Sequence, residues 1–270
     1  MNIDVFGVDR PVVGMVHLAP LPGSPRFAGN RDLIHNRAVH DAEALEAGGV
    51  DGVVVENFGD APFYPDDVPK HVVAEMTTAV SAVADAVDLP VGVNVLRNDA
   101  EAALSVAAAT GAAFVRVNVH TGARVTDQGV VEGRAQETMR LRERLDADVR
   151  VLADVDVKHS APLGGEGFDP EVVAETVERG LADGVVVSGT GTGHAVDTDR
   201  LAAVARRSAD LDVETPVFVG SGVTTETVAD LLDVADGAIV GTALKRGGRT
   251  TYPVDEDRVA DLVAAARRDD

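Results

Sequence analysis

The chain has 270 residues, no cysteine, 45% apolar residues and a formal net charge of −21, from 45 Asp and Glu against 24 Lys and Arg. This is the composition of a folded globular protein. It excludes disulfides, thiolate metal sites and cysteine nucleophiles, and it argues against nucleic-acid or anionic-membrane partners, which need a basic face.

The acid is spread along the whole chain, as in proteins of salt-accumulating halophiles, where molar salt screens the self-repulsion. A halophilic protein is therefore expected. Lysine is reduced to Lys70, Lys158 and Lys245, so each survivor is worth asking about. No apolar run approaches the 18 residues of a membrane span. The opening "MNIDVFGVDR" has no basic segment before an apolar core, so no secretory leader and a cytoplasmic location are expected.

Eight β-branched apolar runs recur about every thirty residues. They are "VVGMVHL" (12–18), "GVVVEN" (52–57), "VGVNVL" (91–96), "FVRVNV" (114–119), "VRVLADV" (149–155), "GVVVSG" (184–189), "PVFVGSG" (216–222) and "GAIVGTA" (237–243). Helical stretches follow, clearest at 32–49, 72–87, 100–111, 133–145, 170–180 and 197–209. Several end in Gly, as a left-handed C-cap would. Short Val-rich runs belong to parallel strands buried on both faces. Eight such units predict an α/β chain folded as a single (β/α)8 TIM barrel domain over 1–270. The competing doubly wound sheet lacks a Gly-rich dinucleotide fingerprint after the first strand. No nucleotide-cofactor or haem motif is present.

The fifth run continues as "VLADVDVKHS" (151–160). Strict alternation puts Asp154, Asp156 and Lys158 on one face. Outward they would be buried beneath helices without partners, at several kcal/mol each. Inward they line the barrel mouth, where TIM-barrel active sites lie. Other strand ends add His17, Glu56, Asn94, Arg116, Asn118, His120 and Ser188, followed by "GTGTG" (189–193). Convergence of such groups predicts a reactive pocket; the bland alternative is a solvated rim with internal bridges such as Arg116 to Asp154. Lys158 serves as a Schiff-base or basic group if desolvated, or as a fixed ammonium for an anionic substrate. His17 is an acid/base candidate or a hydrogen-bonded rim residue. Asp154, Asp156 and Glu56 offer hard oxygen ligands for a divalent cation such as Mg²⁺, without a recognised metal spacing.

The two last loops carry the strongest chemical signal. "VGSGVTTETV" (219–228) and "VGTALKRGG" (240–248) are Gly-rich turns in the loops that bind phosphate in this fold. They nominate Gly220, Ser221, Gly222, Gly241 and Thr242, a helix start after the first loop, and Lys245 as charge partner. Six of the nine aromatics fall in loops after strands: Phe27, Phe58, Phe63, Tyr64, Phe168 and Tyr252. They suggest an apolar lid or a subunit contact, and a homo-oligomer is expected. The loops "APLPGSPRF" (19–27), "HTGARVTDQGVVEG" (120–133) and "HSAPLGGEGF" (159–168) are candidate covers.

Motifs along nearly the whole chain resemble the BtpA family (BtpA/SgcQ, photosystem I biogenesis protein-like). The most specific are "GMVHLAPLPGSP" (14–25), "TDQGVVEG" (126–133) and "ADVDVKHS" (153–160). "VEN" (55–57), "VRVNV" (115–119), "SGTGTG" (188–193), "VGSGV" (219–223), "GTALKRGG" (241–248) and "PVDEDRV" (253–259) add to it. The resemblance implies a ribulose-phosphate-binding barrel. It also implies either a role in stabilising photosystem I proteins, as named in cyanobacteria, or one in sugar metabolism. The expected function is an enzyme acting on a small phosphorylated metabolite, a sugar phosphate foremost, by isomerase, lyase/aldolase or glycosyl/phosphoribosyl transfer chemistry. The alternatives are a non-catalytic assembly factor and a ligand sensor.

Overall fold

The computed structural model describes residues 5–163, 168–189, 191 and 194–267. Parts of two stretches named above, the "GTGTG" run and the 159–168 loop, lie outside the described residues. Eight parallel strands close into a barrel: β1 (Val12–His17), β2 (Gly52–Glu56), β3 (Val91–Asn94), β4 (Phe114–Val117), β7 (Arg150–Asp156), β9 (Gly184–Val187), β10 (Val217–Val219) and β11 (Gly237–Val240). The (β/α)8 expectation holds, and seven of the eight apolar runs contain their strand, β7 extending one residue past its run to Asp156.

Helices α1 (Arg31–Ala47), α2 (Lys70–Ala84), α3 (Ala100–Thr110), α4 (Ala135–Arg144), α5 (Val172–Ala174, continued to Arg179 by a π-turn), α6 (Thr198–Ala209), α7 (Val228–Leu232) and α8 (Glu256–Ala266) alternate with them. Local chemistry sets their starts. Asn30, Asp99, Asp197 and Asp255 each accept a backbone N–H of the first turn, the usual N-cap bond. Gly111 ends α3 in the left-handed conformation, φ 72°. No helix among the described residues is long and apolar enough to cross a membrane.

Alternation sorts each strand into two layers. Outward Val and Ala pack beneath the helices in the larger apolar cluster. Inward, Val13, Met15, Val54, Phe114, Leu152, Val186, Phe218 and Ile239 fill the lower barrel. Phe6 closes that end edge-on to Phe114, with ring centroids 5.3 Å apart.

A second sheet was not legible as such in the sequence. Strands β5 (Ala123–Thr126) and β6 (Gly129–Glu132) form a hairpin, and β8 (Ser160–Pro162) pairs antiparallel with β5. The segment read as a loop cover is therefore a hairpin projecting from the end of β4. Its signal was available: short apolar/polar alternation on either side of "DQG", with Gly129 at φ 107°.

Candidate active site at the barrel mouth

Asp154 and Arg116 form the floor of the mouth. Arg116, 2% exposed, reaches Asp154 through Nε (3.1 Å to Oδ2) and Nη2 (2.8 Å to Oδ1), and Nη2 also donates to Ser188 Oγ at 3.2 Å. Asn118 Nδ2 donates to Asp154 Oδ2 at 3.0 Å, and Asn94 Nδ2 donates to Asn118 Oδ1 at 3.1 Å. This is the internal bridge allowed for above. A bidentate Arg–carboxylate pair with its remaining positions hydrogen-bonded is the arrangement in which a buried charge pair is tolerated. Asp154 raises the Arg116 pKa against burial, the largest influence, which lowers it.

Above this floor the groups are less satisfied. His17 and Glu56 stand side by side on paired strands, with His17 Nε2 3.7 Å from Glu56 Oε1. Both are buried, at 6% and 2% exposure. His17 Nδ1 and Glu56 Oε1 have no hydrogen-bond partner. Buried polar atoms are rarely left so. Burial first, then the Lys245 and Lys158 ammoniums, hold the His17 imidazole well below its ordinary pKa, so it is neutral at pH 7. Phe58 packs on its ring, centroids 4.9 Å apart. Lys158 is half-buried in the same opening. Burial depresses its pKa; Glu56 and Asp154 oppose that, and Arg116 and Arg97 add to it.

Two cavities meet here, and His17 and Lys158 are the residues that line both. The smaller, about 290 Å³, lies over β10 and β11 and is lined by Gly220, Ser221, Gly222, Gly241 and Thr242, all nominated from sequence. Glycine is required at 220: a Cβ there would run into Val186 and come within 2.8 Å of Ser188 Oγ and 3.2 Å of Arg116 Nη2. At 241 it would stand 3.0 Å from His17 Cε1. The larger cavity, about 620 Å³, has apolar walls including Leu18, Pro20, Phe58, Phe63 and Leu96. The loop 19–27 supplies Ala19, Pro20 and Arg26 to its lining, and the turn of the β5–β6 hairpin supplies Asp127.

Three expectations need correction. Asp156 does not share a cavity with Lys158: the β7–β9 register shifts between Asp154 and Asp156, and such a bulge breaks the two-residue alternation. Asp156 is paired with Arg124 and Arg200 in a third cavity, which Asn118, Asp154 and Phe168 also line. Glu56 lines the larger mouth cavity, apart from Asp154 and Asp156, and among the described residues no group of three His, Asp or Glu is placed to hold a metal. Lys245 does not reach the phosphate loops. It is fully buried, with Nζ 2.8 Å from Met15 O and 3.2 Å from Asp41 Oδ2, and burial lowers its pKa to about 8. Lysine scarcity singled it out, and the role the structure gives it is a buried internal ion pair. His120 lines neither mouth cavity; its Nε2 donates to Gly180 O at 2.8 Å.

The sequence reading missed Arg258 of α8, which lines the small cavity and is anchored by Nε to Ala243 O at 2.7 Å. It lies outside the loop motifs, and only the closure of the barrel brings it there. The helix expected after the turn of the β10 loop begins at Val228 and spans five residues; Thr224 and Thr225 of the turn line the cavity.

The fold and site define a (β/α)8-barrel protein with two adjoining cavities at its carboxyl-end mouth. The chain belongs to the BtpA family, whose profile matches residues 8–268. It is 46% identical to the "Photosystem I biogenesis protein BtpA" of Synechocystis, over 96% of this chain and 89% of that one. It is 48% identical to an uncharacterized protein of Thermococcus kodakarensis, over 96% and 95% of the two chains. Among solved structures it resembles N-(5'-phosphoribosyl)anthranilate isomerase of Pyrococcus furiosus, with TM-score 0.57 and 15% identity over 96% and 99% of the chains, a likeness of fold.

Proposed function

We propose that the protein is an enzyme of the isomerase or lyase type acting on a small phosphorylated metabolite. The observation that carries this is the junction of the two cavities at His17 and Lys158. The small cavity would hold the phosphate against the backbone of Gly220–Gly222 and Gly241–Thr242. Arg116 and Lys158 stand on its inner side and Arg258 on its outer side. The body of the substrate would lie in the larger cavity, which places the bond between them at His17, Lys158 and Glu56. A neutral imidazole can both give and take a proton near pH 7. A lysine of depressed pKa beside it supplies a second proton carrier or a nucleophile, and the unpartnered Glu56 oxygen supplies a carboxylate to receive or orient. These are proton-transfer parts, and they favour isomerase or lyase chemistry over glycosyl transfer.

A thermal-shift screen of phosphorylated metabolites tests the reading. A ligand at 100 times its Kd stabilises by about 2.7 kcal/mol, a shift of a few degrees for this size. Phosphate esters are expected to stabilise the wild type, and Lys158→Ala is expected to keep that binding while losing turnover. No shift with any phosphate ester would sink the proposal. A second reading, an assembly factor, is favoured by the name of the Synechocystis relative and by Tyr64, 47% exposed. It predicts that Tyr64→Ser abolishes capture of a protein partner and that Lys158→Ala does not.

A further inference from the structure

The larger cavity is an exception to the charge of the chain. Against 45 acidic and 24 basic residues overall, its lining carries Arg26, Arg37, Arg97 and Lys158 and only two carboxylates, Glu56 and Asp127. The two imidazoles there, His17 and His159, have pKa values lowered first by burial, so neither adds to the count near neutral pH. Basic side chains outnumber acidic ones in this lining, the reverse of the chain as a whole.

The arginines are also incompletely used. Arg97 is held by Gln128 Oε1 at 3.2 Å and by the Lys158 carbonyl at 3.4 Å, with Asp127 at 3.9 Å. Arg37 spends Nη2 on Thr251 O, but its Nε is buried with no hydrogen-bond partner. Arg26 is exposed at the rim. A buried guanidinium N–H without an acceptor is costly, and an entering anion would relieve it. The walls between these cations, Pro20, Phe58, Phe63 and Leu96 among them, offer nothing to the hydroxyls of a sugar.

Resting on the phosphate-ester reading above, we propose that the substrate is not a simple sugar phosphate. It has a phosphate at one end, an apolar body of ring size in the middle, and a second anionic group, a carboxylate, at the other end. Arg37, Arg26 and Arg97 receive that carboxylate, and guanidinium–carboxylate geometry suits arginine over lysine. The apolar body lies against Phe58 and Phe63. The phosphate end reaches past His17 and Lys158 into the small cavity.

Binding to the full chain is measured with three probe sets: benzoates bearing a phosphate ester on spacers of one to four methylenes, the same compounds with methyl in place of the carboxylate, and inorganic phosphate with phenylbutyrate as separate fragments. At least one carboxylated ester is expected to bind tenfold or more tighter than its methyl counterpart. Arg37→Met is expected to erase that advantage and leave phosphate affinity unchanged. Arg26→Met, on the exposed rim, is expected to reduce it several-fold and guards against an Arg37 variant that fails to fold. Equal affinity of carboxylated and methyl esters, with inorganic phosphate still binding, would overturn this inference and leave the phosphate reading standing. If phosphate and all esters fail while phenylbutyrate binds in an Arg37-dependent way, the phosphate reading falls and the carboxylate site survives. Absence of binding by every probe would remove both.

Discussion

The lower and upper halves of the barrel interior are made by the same eight strands with the same alternation, yet they behave oppositely. Below Arg116 the inward side chains are matched in volume: a Cβ on Gly92 would strike Phe114, and one on Gly237 would strike Phe218. Phe6 seals the end. Above the Arg116–Asp154 floor the inward atoms are mismatched, with His17 Nδ1, Glu56 Oε1 and Asn94 Oδ1 buried and unpartnered. The first half is organised for packing, the second for something that arrives from outside. A fold that satisfies its own lower half so fully has no structural reason to leave the upper half unsatisfied.

The contrast can be broken by substitution. Lys158→Ala should show the largest effect above the floor: a loss of roughly 10²- to 10⁴-fold in kcat/KM on the substrate found by screening, with little change in the melting temperature. A large loss of stability instead would make Lys158 a structural residue like Lys245. At the floor, Asp154→Leu strands a buried guanidinium and should cost about 3–5 kcal/mol in denaturant unfolding; a cost under 1 kcal/mol would show that the pair does not divide the two halves. Arg258→Gln should weaken phosphate binding roughly tenfold, the scale of one charge-assisted hydrogen bond, without touching unfolding.

Two pH experiments sharpen the same division. Lys245 has a folded pKa near 8, below that of an unfolded lysine. The unfolded chain therefore binds more protons between the two values, and stability should rise as pH climbs from about 8 toward the unfolded pKa. Lys245→Met should remove that rise. His17 stays neutral until well below its ordinary range, so the acid limb of the activity profile should fall below the pKa of free histidine. The smallest effect belongs outside both halves: Tyr64→Ser should change stability by less than about 0.5 kcal/mol and leave ligand binding intact.

Much of this was legible along the chain. Short Val-rich runs at thirty-residue intervals specify buried parallel strands, and Asn30, Asp99, Asp197 and Asp255 specify four of the helix starts, because both are local properties of the backbone. The Gly-rich turns after the last two strands located the small cavity for the same reason. The failures were of another kind. Asp156 was misplaced because a bulge is set by how β7 meets β9. Lys245 was misassigned because its partner Asp41 lies 204 positions away. Arg258, Arg37 and Arg26 were not singled out, although "PVDEDRV" and "APLPGSPRF" contain the first and the last; α8, α1 and the first loop bring them to the mouth only when the barrel closes.

The sequence by itself determined the strand and helix periodicity, the barrel they build, and the polarity of its carboxyl end, since these follow from spacing, backbone preference and burial of apolar side chains. Only the tertiary structure decided which charges neutralise one another and which are left facing an open cavity, because charge pairing depends on distances between residues far apart in the chain.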